Sequence, residues 1–377
     1  MAVDTPAPVK IACSRDDLSR ALQIVSRAVS ARTAVQILGG ILIETLEDEV
    51  RFSATDMEMS IRVGLPLPGG PDHGAVVVPG RLLADIVRLL PSGEVVLSHE
   101  HREGVVELAC GPSLYRVQTY RADDFPRLPA VEVGQLVSIP RSALIETVTR
   151  VSRAASRDES RPVLTGILVQ LAGDRIVMAA TDSYRLSVKE TELGRDTGEQ
   201  LDAIVPARAL AEVVRIAQAG ASDEVQIGVQ ENQVLFGCDG VWLTARRIDG
   251  QFPNYRQLRP ETFEAEVRLS RDEALDAVRR VAVMAQRNAP LRLRFEEGEL
   301  TIHAQSQDVG EARETLPIGY SGDVLEIGFN PDFLREGLES VDGPEVRLQL
   351  ISPLRPGLIT ADGADFWYLI MPIRLAG

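Results

Sequence analysis

The stretch Ser138-Ile-Pro-Arg-Ser-Ala-Leu-Ile-Glu-Thr-Val-Thr-Arg-Val-Ser-Arg153 passes from a short apolar strand through a polar stop into an amphipathic helix. The chain carries the same arrangement twice more, as Ala12-Cys-Ser-Arg-Asp-Asp-Leu-Ser-Arg-Ala-Leu-Gln-Ile-Val-Ser-Arg27 and as Arg268-Leu-Ser-Arg-Asp-Glu-Ala-Leu-Asp-Ala-Val-Arg-Arg-Val-Ala-Val283. Arg15, Arg141 and Arg271 open the three helices and divide the 377 residues into near-equal thirds. Self-similarity at a fixed period identifies one folding unit used three times.

Each third reads as mixed α and β. Ser14 is placed to cap the first helix with Asp17 near its third position. Leu18, Ala21, Leu22 and Val25 recur at helical spacing and predict one buried face. The alternating segments 41–45, 50–54 and 59–63 read as strands separated by Glu-Asp and Thr-Asp turns. A second helix begins at Pro79 and is stopped by Pro91-Ser-Gly93, and Pro206–Ile216 matches it almost position for position. Asn330–Leu338 is its counterpart in the last third. The expected fold class is α+β, three tandem repeats of a two-helix, antiparallel-sheet domain. The segments Asp123–Pro126 and Asp249–Pro253 mark linkers, which places the domains at 1–128, 129–258 and 259–377.

Composition narrows the function. Hydrophobic residues make up 45% of the chain but aromatics only 5%, so the cores are aliphatic. No run of about 18 apolar residues exists to span a membrane. The first eight residues lack the apolar run of a signal peptide, and the three scattered cysteines, Cys13, Cys110 and Cys238, read as small core fillers in a reducing compartment. A cytoplasmic location is expected.

A net charge of −15 argues against a protein coated for nucleic acid, but a basic face can sit on an acidic body. The first helices carry Arg20 and Arg27, then Arg150, Arg153 and Arg157, then Arg279 and Arg280. The second helices carry Arg81 and Arg88, Arg208 and Arg215, and Arg335, whereas acids gather in strand turns such as Glu47-Asp-Glu49. Arginine on a single exposed helix face usually serves solvation. Six equivalent helices sharing it point to a common surface for phosphates, contacted without sequence preference.

Catalytic signatures are missing. There is no phosphate-binding loop, dinucleotide fingerprint, HExxH or nucleophile elbow. His99 and His101 alternate along one strand as a weak metal-ligand pair, and Asp123-Asp124 is better explained by turn chemistry. No cofactor and no catalytic residue is expected. Two features lie outside the common repeat: Ser183-Tyr-Arg-Leu186 after a Thr-Asp turn shared with Thr55-Asp56, and a terminal segment, Met371-Pro-Ile-Arg-Leu375, that stays apolar to its end. Such residues pack in a core or line an adaptable groove.

Taken together, Gln36-Ile-Leu-Gly39, Val78-Pro79, Ala180-Thr-Asp-Ser-Tyr-Arg-Leu186, Phe252-Pro-Asn-Tyr255 and Tyr368-Leu-Ile-Met-Pro-Ile-Arg-Leu375 span the chain in one order. In that order the sequence resembles the bacterial sliding clamps, the beta subunits of DNA polymerase III. The resemblance implies the DNA clamp fold, a head-to-tail homodimer forming a six-domain ring with helices lining the hole. It implies double-stranded DNA as the encircled partner, with the replicative DNA polymerase alpha subunit, an ATP-driven clamp loader, other polymerases and repair proteins docking through short peptides. Carried over, the peptide pocket is walled by Leu164, Thr181, Ser183, Tyr184, Arg185, Leu186, Pro253, Leu258, Leu369, Met371, Pro372, Ile373, Arg374 and Leu375. The family often has Gly-His where this chain has Ser183-Tyr184, and Pro where it has Gln36. DNA-facing positions by the same match are Arg32, Arg153, Arg157 and Arg161, and the repeat adds Arg81, Arg208 and Arg215. The dimer contact implied pairs the strand around Tyr115 and Val117 with Val283 and Met284 of a second copy.

The leading expectation is therefore a non-enzymatic ring that tethers a polymerase to DNA and raises its local concentration. A tandem-domain scaffold that binds proteins without touching DNA is the alternative, and an enzyme with an unrecognised carboxylate site is a third class. Charge reversal of the helix arginines separates the first two, since a pure scaffold has no use for them.

Overall fold

The computed structural model describes residues 9–30, 34–67, 74–100, 104–129, 136–230, 232–285, 289–306, 310–361, 363 and 365–375. The first third contributes β1 (Val9–Ser14), α1 (Arg15–Val25), β2 (Gly40–Thr45), β3 (Glu49–Thr55), β4 (Met59–Pro66), β5 (Ala75–Pro79), α2 (Gly80–Leu89), β6 (Glu94–Glu100), β7 (Val105–Cys110) and β8 (Ser113–Gln118). The second contributes β9 (Val137–Pro140), α3 (Arg141–Val151), the single turn α4 (Pro162–Thr165), β10 (Gly166–Ala172), β11 (Arg175–Thr181), β12 (Arg185–Glu192) and β13 (Gln200–Pro206). It ends with α5 (Ala207–Ala219), β14 (Glu224–Gln230), β15 (Gln233–Cys238) and β16 (Val241–Arg246). The third contributes β17 (Ala265–Ser270), α6 (Arg271–Ala282), β18 (Leu291–Glu296), β19 (Glu299–Ser306), β20 (Gly310–Pro317) and β21 (Leu325–Phe329). It closes with α7 (Pro331–Ser340), β22 (Glu345–Leu350), β23 (Gly357–Thr360) and β24 (Phe366–Ile370). Apart from α4, the three thirds share one element order.

Local chemistry explains the helix starts. The Asp17 backbone N–H donates to Ser14 Oγ at 3.1 Å, and the Ser14 hydroxyl donates to the Asp17 carboxylate at 2.7 Å. Asn330 caps α7 in the same way, accepting from Asp332 and Phe333 N–H. On α1 the buried residues are Leu18, Ala21, Leu22 and Val25, the stripe read from the sequence.

The pairing of strands could not be read from the repeat. Each third builds two four-stranded halves, and the halves join across thirds. One sheet runs β5-β2-β3-β4-β16-β15-β14-β9, and another runs β13-β10-β11-β12-β24-β23-β22-β17. Two four-stranded sheets are left over, β1-β6-β7-β8 and β20-β19-β18-β21. All pairings are antiparallel, with β4 meeting β16 through Met59↔Ala245 and β12 meeting β24 through Leu186↔Leu369.

Compact packing therefore divides the chain into two units and not along its thirds. Unit one holds residues 1–141 and 208–247, and unit two holds 142–207 and 248–377. The middle third is shared because its two strand halves belong to different sheets. In unit one the core is centred on Phe52, Ile41, Ile43, Ile61, Leu18 and Leu22, and unit two buries Tyr368, Phe295 and Phe329 as completely. The three cysteines are free and buried, as core fillers should be.

Candidate functional site

In unit two, β11 and β12 are joined by Thr181-Asp182-Ser183-Tyr184. The Thr181 hydroxyl donates to the Arg185 carbonyl at 2.6 Å, and Asp182 Oδ1 accepts from the N–H groups of Tyr184 and Arg185 at 2.9 and 3.0 Å. This side-chain-capped turn forces Ser183 to a φ of 78°, in the left-handed region, and leaves Tyr184 61% exposed. Arg161 donates to Ser183 Oγ at 3.1 Å while its Nε pairs with Asp158. A hydroxyl at position 183 thus gives that arginine an anchor that a glycine could not.

Strand pairing then brings the terminal segment alongside. β12 and β24 align Arg185 with Ile370 and Leu186 with Leu369, and the Met371 N–H extends the ladder to the Tyr184 carbonyl at 2.8 Å. The Ile373 N–H donates to the Gly328 carbonyl at 2.8 Å, which ties the segment to β21. Leu375 lies against Gly328, where an added Cβ would come within 2.6 Å of its Cδ2. Leu186 and Leu369 belong to a buried apolar cluster with Phe252, Tyr255 and Trp367. Met371 and Leu258 remain exposed, at 43% and 54%, at the margin of these elements. Pro253 and Arg374 are also exposed, Pro372, Ile373 and Leu375 are half-buried, and Leu164 and Thr181 are buried.

Arg185 has a different role from the wall residue that the sequence implied. Its guanidinium bonds to Asp182, Glu336, the Arg153 carbonyl and the Tyr368 hydroxyl, and lies 4.3 Å from the centre of the Phe333 ring. Burial works against its charge, but Tyr368 and Glu336 outweigh that and hold its pKa above the ordinary guanidinium value. Burial drives the Tyr368 hydroxyl upward as well, so the phenol stays neutral and donates to the Phe333 carbonyl at 3.0 Å. The arginine locks β12 and β24 onto α7, and its backbone is taken up as well, by Asp182 and Thr181.

The arginines proposed for DNA fall into two groups. Arg208 pairs with Asp56 at 2.8 Å, Arg215 with Glu212, Arg153 with Glu339 and Arg161 with Asp158. Arg81 and Arg157 are exposed and have no ion-pair partner among the described residues. Arg32 lies outside the described residues. On α7, Asp332, Glu336 and Glu339 outnumber the single Arg335. Arg279 and Arg153 both converge on Glu339, so acids of α7 neutralise cations of the neighbouring helices within unit two.

Elsewhere, Tyr115 is exposed on β8 but Val117 faces its own core, 5% exposed. Val283, at the end of α6, is 80% exposed and Met284 is half-buried. His99 is buried and its Nδ1 bonds to the Val105 carbonyl, while His101 lies outside the described residues. Among the described residues no group of His, Cys, Asp and Glu could hold a metal. The sequence reading missed Trp367 and Phe252 as the floor beneath Leu186 and Leu369, and it missed β20 as a sheet edge.

Comparison with known proteins decides what this assembly is. Models of the N-terminal, central and C-terminal domains of the DNA polymerase III beta subunit match residues 9–129, 138–254 and 256–374 in turn. The chain belongs to the DNA polymerase III beta subunit family. It is 34% identical to the beta sliding clamp of Streptomyces coelicolor, over 98% of this chain and 100% of that protein. It is 34% identical to the beta sliding clamp of Synechococcus elongatus, over 97% of this chain and all of that one. Among solved structures, the DNA polymerase sliding clamp from Bacillus subtilis superposes with a TM-score of 0.92 at 27% identity, covering 98% of this chain and 100% of that chain. A sliding clamp from Bartonella birtlesii superposes equally well, with a TM-score of 0.92 at 28% identity and the same coverage. Function follows the family: this is a sliding clamp serving polymerase processivity, a non-catalytic role.

Proposed function

We propose that two copies of the chain close head to tail into a ring around double-stranded DNA and tether a DNA polymerase to it. The observation that carries this is the pair of unfinished sheets. In both eight-stranded sheets, the fourth strand of one third meets the eighth and last strand of the next, β4 with β16 and β12 with β24. By the same rule β20 should meet β8, and both are free edges of four-stranded sheets among the described residues. A second copy supplies each with its partner, and the exposed Leu114 and Tyr115 on β8 would be covered. Val283 and Met284 lie on the α6 side of that junction. The three domains of each copy take residues 1–128, 129–258 and 259–377. Within the hole, Arg81 and Arg157 contact phosphates directly, and the paired arginines exchange their carboxylates for phosphate as DNA passes. Weak exchange of this kind suits sliding.

The Tyr184, Leu186, Leu369 and Met371 region holds short apolar peptides of the replicative polymerase alpha subunit, of the loader that opens the ring, and of other polymerases and repair proteins. Its buried floor with an adaptable methionine at the margin supports that reading. The location is cytoplasmic. The test is topological. Protein loaded onto nicked circular DNA should survive washing and be released when the circle is cut once. Equal retention on the cut molecule would overturn encirclement.

A further inference from the structure

Unit one contains a second site built on the frame of the first. The turn Thr55-Asp56-Met57-Glu58 repeats the bonding of Thr181–Tyr184: the Thr55 hydroxyl donates to the Met59 carbonyl at 3.0 Å, and Asp56 Oδ1 accepts from Glu58 and Met59 N–H. Met57 sits at a φ of 75°, as Ser183 sits at 78°. β4 pairs with β16 through Ser60↔Thr244, where β12 pairs with β24 through Leu186↔Leu369. The Arg246 N–H reaches the Glu58 carbonyl at 2.9 Å, where the Met371 N–H reaches Tyr184. The backbones are equivalent but the side chains are not: Leu186, Leu369 and Met371 are replaced by Ser60, Thr244 and Arg246.

A cavity of about 550 Å³ opens at this place, within the roughly 300–1,000 Å³ of ligand-binding clefts. Arg127 and Arg246 both line it, and neither has an ion-pair partner among the described residues of a chain whose net charge is −15. Among the described lining residues Glu58 is the one carboxylate, beside the two arginines. Met57, 61% exposed, and Leu128 supply an apolar wall, and Gln233 offers an amide that can bond a peptide group. An apolar wall beside two arginines fits a carboxylate borne on a chain with apolar side chains better than a bare phosphate.

We propose that this cavity is a second docking site, for a short acidic peptide whose carboxylates engage Arg127 and Arg246 while an apolar side chain packs on Met57 and Leu128. The cavity and its cations stand without the peptide reading of unit two; only the equivalence of frames rests on it.

The test uses the full chain in which Leu186→Ala and Met371→Ala have disabled the unit-two site. The probe is fluorescein-labelled Ala-Asp-Leu-Asp-Ala, read by fluorescence polarisation against its Ala-Asn-Leu-Asn-Ala analogue. Saturable binding of the acidic probe, weakened about tenfold by Arg127→Gln and again by Arg246→Gln, and retained with Lys at both positions, is the expected result. Because the comparison of the two probes needs no variant in the cavity, it stands even if a glutamine variant misfolds. Equal binding of the two probes, or none to either at millimolar concentration, would overturn the proposal. Competition by free glutarate as strong as by the unlabelled peptide would also overturn it, by assigning the cavity to a small dicarboxylate. Failure of the unit-two reading would show separately, as unchanged capture of apolar peptides by the Leu186→Ala, Met371→Ala chain.

Discussion

Replacing Arg185 with Met removes the charge that joins β12 and β24 to α7 while keeping an apolar stem over Phe333. The side chain is 9% exposed, and its partners Asp182 and Glu336 are 14% and 22% exposed. Removing one partner of a buried ion pair costs about 3–5 kcal/mol, because the other charge is left unpaired. Asp182 and Glu336 each keep some access to water and Asp182 keeps its backbone donors, so the cost belongs at the lower end, about 3 kcal/mol. For a unit of this size, each kcal/mol moves the melting temperature by about 2–4 °C, giving a fall of roughly 6–12 °C. Urea unfolding followed by tryptophan fluorescence in a Trp242→Phe background, which leaves Trp367 on the adjoining strand as the reporting indole, reads unit two. Arg185→Lys should recover less than half of the loss, since an ammonium cannot reproduce the fork between Asp182 and Glu336. A Met variant within 0.5 kcal/mol of the parent, a surface-like effect, would refute the assignment of Arg185 as an internal lock.

Three further outcomes follow from the same contacts. Gly328→Ala would put a Cβ 2.8 Å from the Ile373 carbonyl and 2.6 Å from Leu375 Cδ2, so the terminal segment must shift; peptide affinity should fall about tenfold with little change in unfolding, as titration calorimetry would show. The Glu339 pKa is depressed: burial alone would raise it, but hydrogen bonds from Arg279 and Arg153 outweigh that. Its contribution to stability is therefore complete above the ordinary value of 4.5 and is lost as pH falls through the lower folded value. The stability gap between the parent and Glu339→Gln should close over that acid window, and a constant gap in pH-dependent urea melts would contradict the pairing. Finally, Arg81→Glu with Arg157→Glu should weaken duplex binding and lower the slope of log affinity against log salt by about 4, two contacts from each of the two copies, whereas an unchanged slope would favour the protein-only scaffold.

Legibility in the sequence tracked the range of the interaction. Ser14 and Asp17, the stripe from Leu18 to Val25 and the two Thr-Asp turns are set within a few residues, and periodicity or side-chain chemistry exposes them. The joining of β4 to β16 is a contact across most of two thirds of the chain, and no local pattern encodes it. Hence the domains were read along the thirds while packing divides the chain through the middle one. The pairing of charges is hidden for the same reason. Arg153 and Glu339 are far apart in sequence, so only the fold shows that an acid of α7 meets the arginine. Arg185 belonged to a motif of pocket residues, and its commitment to Glu336 and Phe333 required the packing of α7 to be known.

Completion of β8 and β20 by a second copy is tested most directly by sedimentation velocity at low micromolar concentration. The parent chain should sediment as a particle of about twice 41.1 kDa with the friction of an open ring. An Arg116→Pro variant, which removes a backbone donor from the open side of β8 (the alternate positions, as Thr119 to Gly104 shows, bond inward to β7), should shift toward single chains. A parent that remains one chain across that range would contradict closure, and with it the account of how this protein holds DNA.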